Sequence, residues 1–141
     1  MPVAPLNEVA RVVDYAATEI PREKMFMGIP NYGYDWALPY VRGESKAEPL
    51  SNVAAVNRAV ARNAEIQYDE TAQSPFFTYW DRPETYSDAV EHIVWFENAR
   101  SSEAKLKLAA EQQLNGAGVW TVMRFFPSLW NVMNQLYTIR R

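Results

Sequence analysis

The chain has 141 residues, with 14 basic and 17 acidic side chains, one histidine and no cysteine. This nearly balanced charge gives no electrostatic basis for binding nucleic acid or an anionic membrane, and the lack of cysteine excludes disulfides and thiolate chemistry. One histidine argues against a histidine-ligated metal or a serine triad, and without an export signal or an apolar run of about 20 residues we expect a soluble chain.

The first predicted element is an amphipathic helix. Apolar residues recur at helical spacing from Leu6 to Ile20, and Pro21 follows as a stop signal. A largely apolar run over residues 24–29 comes next and is typical of a strand that is buried on both faces. The helix is therefore expected to lead directly into a buried strand.

Three aromatic side chains and two polar ones follow this strand. In α/β folds, ligands bind in the loops beyond the carboxyl ends of the strands. We therefore expect Tyr32, Tyr34 and Trp36 to line a cleft, with Asn31 and Asp35 as its polar groups. The alternative is that the rings only cap a hydrophobic core, because aromatic side chains are common there.

A second helix is predicted after a polar, irregular segment at residues 42–49. Ser51 is suited to cap this helix, because a serine side chain accepts a hydrogen bond from the first helical turn. Leu50 is placed to pack against Ala54 or Ala55. The buried face is expected to consist of three valines, namely Val53, Val56 and Val60.

Three short strands are predicted in the middle of the chain. Apolar and polar residues alternate or cluster there as in half-buried strands, over residues 65–69, 75–80 and 91–97. Residues 81–88 are rich in proline, acidic residues and serine and are expected to form a hairpin loop. These segments predict a small antiparallel sheet.

The last third of the chain returns to helical spacing. A helix is predicted over residues 99–114, with Asn115-Gly116 as its left-handed stop, and a strand over residues 117–122. Gly118 suggests that a neighbouring backbone approaches this strand closely. A final helix begins at Pro127, so helices and strands alternate as in a parallel sheet with helices outside.

Several sequence segments resemble the C-terminal part of glycoside hydrolase family 18. The resemblance is carried in order by MGIPNYGYDW, QYDETAQSP, HIVWFENARS and GAGVW, at residues 27–36, 67–75, 92–101 and 116–120. It is greatest to the spore-cortex peptidoglycan hydrolases of the family, the germination-specific N-acetylglucosaminidases. It implies an α/β fold, the C-terminal part of a TIM (β/α)8 barrel with an α+β chitinase-type insertion subdomain. The implied division is 1–36 and 98–141 for the partial barrel and 37–97 for the insertion.

The resemblance also implies an activity that this chain lacks the residues to perform alone. Family members carry an Asp-x-x-Asp-x-Asp-x-Glu motif whose glutamate is the general acid, and a Met-x-Tyr-Asp/Glu element on the sixth strand; neither occurs here. Hydrolysis in the family is retaining and substrate-assisted, with the acetamido oxygen as nucleophile. We expect no catalytic residue, cofactor or metal in this chain, and no hydrolysis by it alone.

The implied partner is a glycan that contains N-acetylglucosamine, either peptidoglycan or a chitooligosaccharide. By the same resemblance the protein belongs in the spore coat or cortex, or outside the cell, with any targeting segment upstream. The alternatives are a non-catalytic glycan-binding module and an interaction protein of the spore coat or envelope.

One tryptophan carries the strongest implied role. Trp120 corresponds to the eighth-strand tryptophan that forms the floor beneath the sugar at the cleavage site, and the alternative is that it only fills the barrel. Tyr32 and Trp36 correspond to the aromatic loop that borders the cleft. Asp35 is expected either to bind a sugar hydroxyl or to serve as an exposed turn residue.

Other candidate residues are given structural roles. Glu97 follows two aromatic residues and has the setting of a raised pKa, but an ion pair with Arg100 is the simpler expectation. Asp69 and Glu70 are adjacent in a strand, so their side chains should face opposite ways. His92 is interpreted as structural. Sheet packing is favoured for Trp80 and Trp95, with a sugar platform as the alternative.

A final expectation concerns the edge of the partial barrel. Two parallel strands without the rest of an eight-stranded barrel leave backbone groups unpaired and an apolar face open to water. We therefore expect self-association through this exposed edge. A well-behaved monomer at high concentration would count against it.

Overall fold

A computed structural model describes residues 1–81 and 89–137 of the chain. The elements in order are α1 (Leu6–Glu19), β1 (Phe26–Pro30), β2 (Tyr32–Ala37), β3 (Glu48–Ser51), α2 (Asn52–Ala61), β4 (Gln67–Asp69), β5 (Ser74–Asp81), β6 (Val90–Trp95), α3 (Ala99–Glu111), β7 (Gly116–Trp120) and α4 (Pro127–Leu136). Within these described residues, none of the helices has the length and apolarity needed to cross a membrane.

A two-stranded parallel sheet connects the N-terminal and C-terminal regions of the chain. β1 pairs with β7 in a register that sets Gly28 beside Gly118 and Pro30 beside Trp120. Alternate residues of these strands, with side chains from α1, α3 and α4, form one hydrophobic core, which we call the first core; its most buried members are Ile29, Leu106 and Leu129. This confirms the predicted parallel pairing with helices on one side.

A five-stranded antiparallel sheet forms the middle of the molecule. Its strands lie in the order β3-β2-β6-β5-β4, and α2 covers one of its faces. The core between helix and sheet, which we call the second core, shares no residue with the first; its members include Leu50, Ala55, Phe77 and Val94. The hairpin loop was predicted at 81–88; Asp81 is the last residue of β5, and residues 82–88 lie outside the described part of the chain.

The buried face of α2 differs from the sequence prediction. Ser51 caps the helix as predicted, accepting a hydrogen bond from the backbone N–H of Ala54 at 3.1 Å. Ala55 and Ala59 are buried against the sheet, whereas the three valines predicted to be buried are exposed: Val53, Val56 and Val60. The prediction was wrong because small alanines let the helix lie close to the aromatic residues of the sheet, and that proximity depends on tertiary packing.

Two strands of the larger sheet, β2 and β3, were missed by the sequence analysis. The segment after β1 was predicted as an aromatic loop, but residues Tyr32–Ala37 form β2. Gly33 is the second residue of β2, and the structure shows why only glycine fits there. A Cβ atom on Gly33 would lie 2.4 Å from the carbonyl oxygen of Trp95. β2 thus pairs within the five-stranded sheet, while the predicted division at residues 36 and 98 stays a prediction.

Two glycines near β7 also have roles that differ from those predicted. α3 ends at Glu111, before the predicted end at residue 114, and the left-handed residue beyond it is Gln113, with a φ of 53°. Gly116 is therefore the first residue of β7 and not a helix stop. The close approach predicted at Gly118 is wrong, because a Cβ atom there would meet nothing within 4 Å. The face of β7 that carries Gly118 is open.

Candidate functional site

The carboxyl ends of β1 and β7 are joined by one buried amide side chain. Asn31 donates from its Nδ2 to the carbonyl oxygens of Thr121 and Arg124, at 2.7 and 3.0 Å. Its Oδ1 accepts from the Thr121 backbone N–H at 2.7 Å, and its own backbone N–H donates to the Trp120 carbonyl at 3.0 Å. Asn31 is one of the two predicted polar groups of the cleft, but in the structure its side chain holds the two strand ends together.

The indole of Trp120 lies exposed at these strand ends. Trp120 is 70% exposed, and Phe26 and Gly28 face the same side of the sheet. Added Cβ atoms at Gly28 and Gly118 would both meet open space. The strands therefore present an open floor with a flat aromatic ring at its carboxyl end.

A row of aromatic rings begins beside this floor. Tyr32, Tyr34 and Trp36 lie on one face of β2, with neighbouring ring centroids 5.5 and 5.8 Å apart, and Tyr40 extends the row at 5.4 Å from Trp36. The rings meet edge to face, an arrangement that aromatic quadrupoles favour. The structure thus brings together the predicted residues Tyr32, Tyr34 and Trp36, all half-buried, and adds Tyr40.

Arg124 connects the aromatic row to β7. Its guanidinium carbon lies 5.7 Å from the centroid of the Tyr32 ring. Burial and the neighbouring Tyr34 raise the pKa of Tyr32, while Arg124 opposes the rise. The Tyr32 phenol is therefore a neutral hydrogen-bonding group at neutral pH. Arg124 was not predicted from the sequence; its position just after β7 was the available signal, since ligand-binding groups of barrels follow the strands.

Asp35 lies on the opposite face of β2 from the aromatic row. Its carboxylate accepts hydrogen bonds from Arg58 and from the Tyr79 hydroxyl at 2.6 Å, and it lies 2.7 Å from Nδ1 of His92. Arg58 also binds Glu48 at 2.9 Å. The expectation of an exposed loop aspartate is wrong, because adjacent strand residues face opposite ways and Asp35 faces α2. His92, interpreted as structural, is one of its partners.

A second buried ion pair lies at the junction of β6 and α3. Glu97 Oε2 lies 2.9 Å from Lys105 Nζ, and both side chains are buried. Burial raises the pKa of Glu97, and the Lys105 ammonium opposes the rise. The predicted pairing with Arg100 is wrong, because Arg100 binds Glu70 at 2.6 Å. Lys105 lies two turns along α3, where its long side chain can reach the buried carboxylate.

The remaining candidates lie apart from the strand ends. Asp69 accepts hydrogen bonds from two backbone N–H groups of its own turn, so it and Glu70 have separate partners. Trp95 stacks on Phe76 at 4.6 Å, while Trp80 is 54% exposed on β5. In the described part of the chain, no three histidine or acidic side chains gather in a way that could hold a metal ion.

Comparison with known protein families gives one clear result. The model of "Glycosyl hydrolases family 18" matches residues 2–124. The cortical fragment-lytic enzyme of Bacillus subtilis is 42% identical over 137 residues, which cover 97% of this chain and 31% of the relative. A putative sporulation-specific glycosylase of the same organism, YdhD, is 38% identical over 99% of this chain and 32% of its own length. The chain thus spans about a third of these relatives.

Solved structures agree with this result. The spore cortex-lytic enzyme SleL of Bacillus megaterium superposes with a TM-score of 0.88 at 40% identity, over 99% of this chain and 32% of that one. A chitinase from Chromobacterium violaceum superposes with a TM-score of 0.82 at 28% identity, over 96% of this chain and 39% of the chitinase. The fold is therefore the α/β fold of the C-terminal part of a chitinase-type TIM barrel. The chain belongs to glycoside hydrolase family 18.

Proposed function

We propose that this chain forms the glycan-binding part of a family 18 glycosidase that acts on N-acetylglucosamine-containing glycans, with spore-cortex peptidoglycan as the substrate. The observation that carries the proposal is the exposed Trp120 indole at the joined ends of β1 and β7, where the aromatic strand β2 begins at Tyr32, two residues after Pro30. The names of the relatives, a cortical fragment-lytic enzyme and a sporulation-specific glycosylase, support the choice of peptidoglycan.

The exposed indole of Trp120 is suited to bind a sugar ring. A pyranose has an apolar C–H face, and a flat indole beneath it buries that face and fixes its position. Tyr32 then borders the sugar, and Tyr34 and Trp36 continue the aromatic border along β2. Asn31 contributes by fixing the relative position of the two strand ends, since its amide is occupied by backbone partners.

Cleavage requires a group that this sequence does not supply. In the substrate-assisted mechanism of the family, the acetamido oxygen of the substrate attacks the anomeric carbon and no enzyme nucleophile is needed. A general acid with a raised pKa must still protonate the leaving oxygen. Glu97 does not fit this role, because its carboxylate is buried and paired with Lys105. We therefore propose that the acid comes from residues outside this sequence.

Titration with N-acetylglucosamine oligomers tests the binding role. Tryptophan fluorescence of the wild-type chain should change on binding, and Trp120→Ala should weaken binding about tenfold or more, because it removes the stacking surface. Trp80→Ala is the matched control, since it removes an exposed tryptophan from β5, which β6 separates from β2. Equal binding by wild type and Trp120→Ala would contradict the proposal, as would hydrolysis of these oligomers by the isolated chain.

Self-association through the barrel edge is a second part of the proposal. β1 and β7 each have one edge without a partner strand among the described residues, and Phe26 is 66% exposed on their open face. Unpaired strand edges and apolar faces favour association with other chains. This surface also supports the alternative of an interaction protein of the coat or envelope. Glycan binding that is lost in Trp120→Ala would favour the glycosidase-related role.

A further inference from the structure

The most informative group left unused by the proposed function is the guanidinium of Arg124. The backbone of Arg124 is held at the strand ends, donating to the Thr121 carbonyl at 3.2 Å and accepting from Asn31 at 3.0 Å. The side chain then extends over Tyr32, with the guanidinium 5.7 Å from the ring centroid. A positive charge is thus fixed beside the aromatic residues proposed to hold the sugar.

Arg124 has no acidic partner among the described residues, unlike three other cations of the fold. Arg22 also lacks one, but its guanidinium donates to the Gln112 carbonyl oxygen at 2.8 Å. Arg58, Arg100 and Lys105 each lie within 3 Å of a carboxylate oxygen. Over residues 1–81 and 89–137, no salt bridge connects a carboxylate to Arg124, which is half-buried. A partly desolvated guanidinium without a counter-charge has its strongest remaining interaction with an anion, and a planar carboxylate matches its paired N–H donors.

We propose, resting on the proposed function, that Arg124 selects acidic glycans by binding a carboxylate on the sugar next to the one stacked on Trp120. Peptidoglycan alternates N-acetylglucosamine with a sugar that carries a lactyl carboxyl group, whereas chitin carries no acid. The carboxylate is either the free lactyl group or one on the peptide attached to it. The site therefore distinguishes peptidoglycan from chitin by charge, while the aromatic rings bind the feature that both share.

The test compares two ligands on one set of variants by isothermal titration calorimetry. The neutral ligand is an N-acetylglucosamine oligomer, and the acidic ligand is a peptide-free peptidoglycan oligomer of the same length. Arg124→Gln should weaken binding of the acidic ligand about tenfold and leave the neutral ligand unchanged, because one charge-assisted contact is lost. Arg124→Lys should retain most of the acidic binding. Arg42→Gln, which removes an exposed cation elsewhere, should change neither.

A third ligand and the salt dependence sharpen the test. If the peptide-bearing oligomer binds with the same dependence on Arg124 as the peptide-free one, the carboxylate is on the peptide as well as on the lactyl group. Raising the salt concentration should weaken acidic binding by wild type more than by Arg124→Gln, because salt screens partly exposed charges. Equal salt dependence of the two proteins would overturn the inference.

The failures of the two proposals are distinguishable. Wild type that binds neutral and acidic oligomers equally, or an Arg124→Gln variant that loses both equally, overturns the charge selection and leaves the glycan-binding role standing. Wild type that binds neither ligand overturns both. Neutral binding that persists in Arg124→Gln also shows that the variant is folded, so a structural effect of the substitution is separated from a loss of recognition.

Discussion

The two hydrophobic cores of this chain differ in how completely they are enclosed. The second core lies between a five-stranded sheet and α2, and Phe77 and Val94 are fully buried within it. The first core lies behind a sheet of two strands, whose other face leaves Phe26 and Trp120 exposed. The five-stranded sheet with α2, which we call the antiparallel part, thus closes its own core. The barrel part consists of β1, β7, α1, α3 and α4; it closes a core on one side of its sheet and leaves open the side that carries the candidate site.

The difference follows from how each sheet is built. Antiparallel strands joined by short turns can cover one face with a single helix and leave the other face to solvent. Parallel barrel strands are buried on both faces in a complete barrel, by helices outside and by side chains from other strands inside. We infer that the antiparallel part depends less on the barrel part for its stability than the barrel part depends on it.

The largest expected effect tests the independence of the second core. Phe77→Ala removes a fully buried ring and should lower the free energy of unfolding by about 3–5 kcal/mol. Hydrogen exchange should show protection lost in β2, β5 and β6 with less change in β1 and β7. Thr78→Ala, on the exposed face of β5, is the control and should have little effect. Uniform loss of protection along the chain would show that the two cores unfold together.

The next effect concerns the junction between the two parts. Lys105→Met leaves the Glu97 carboxylate buried without its counter-charge and should cost about 3 kcal/mol. Glu97 also connects to α2, since its backbone N–H donates to Asn52 Oδ1 at 2.9 Å. Urea unfolding measures the loss. The double variant Glu97→Gln with Lys105→Met should recover much of it, and a double variant no more stable than Lys105→Met would contradict the role of the ion pair.

A smaller effect concerns the open face of the barrel part. Phe26→Lys places a charge on that face and should weaken self-association about tenfold or more, as expected from removing a buried phenylalanine from an interface. Light scattering across a concentration series measures it. Val60→Lys is the matched control, because Val60 is 75% exposed on α2 of the antiparallel part. An equal effect of both substitutions, or a wild type that stays monomeric, would contradict association through the barrel edge.

The smallest effect is a pH-dependent one at the surface of the antiparallel part. The hydrogen bond from Arg58 lowers the pKa of Glu48, so its stabilisation is present above the ordinary carboxyl pKa of 4.5 and is lost as the pH falls through the lowered value. Because the Glu48 side chain is 63% exposed, Glu48→Gln should cost only about 0.5 kcal/mol at pH 7. Thermal unfolding should show the difference vanishing at low pH. A cost that is equal at low and neutral pH would be inconsistent with this pair.

Periodicity and capping signals predicted the helices well, because those features depend on local sequence, and the alternation of helices and strands predicted the parallel pair. The spacing from Leu6 onward and the proline at position 127 mark α1 and α4 as observed. The errors arose where tertiary contacts decide. The need for glycine at position 33 depends on the adjacent Trp95 backbone, and the burial of Ala55 in place of the valines depends on which face meets the sheet.

Side-chain partners at the site were the hardest feature to predict. The family resemblance could be recognised from the aromatic residues after β1 and from Trp120. The orientation of Asp35 could not be predicted, because it depends on strand β2, which was not predicted. The partner of Glu97 required the position of Lys105 two turns along α3. Arg124 lies four residues after the GAGVW segment that carries the resemblance, and only the three-dimensional structure shows that it is close to Tyr32.

The most direct test of the central claim is to map glycan binding onto the backbone by NMR. An N-acetylglucosamine oligomer is added to the isotope-labelled chain, and the amide shifts are followed. We predict that the shifted signals cluster at residues 31–36 and 119–124, where the ends of β1 and β7 meet. Shifts confined to the antiparallel part beyond β2, or no saturable shifts at all, would contradict the account.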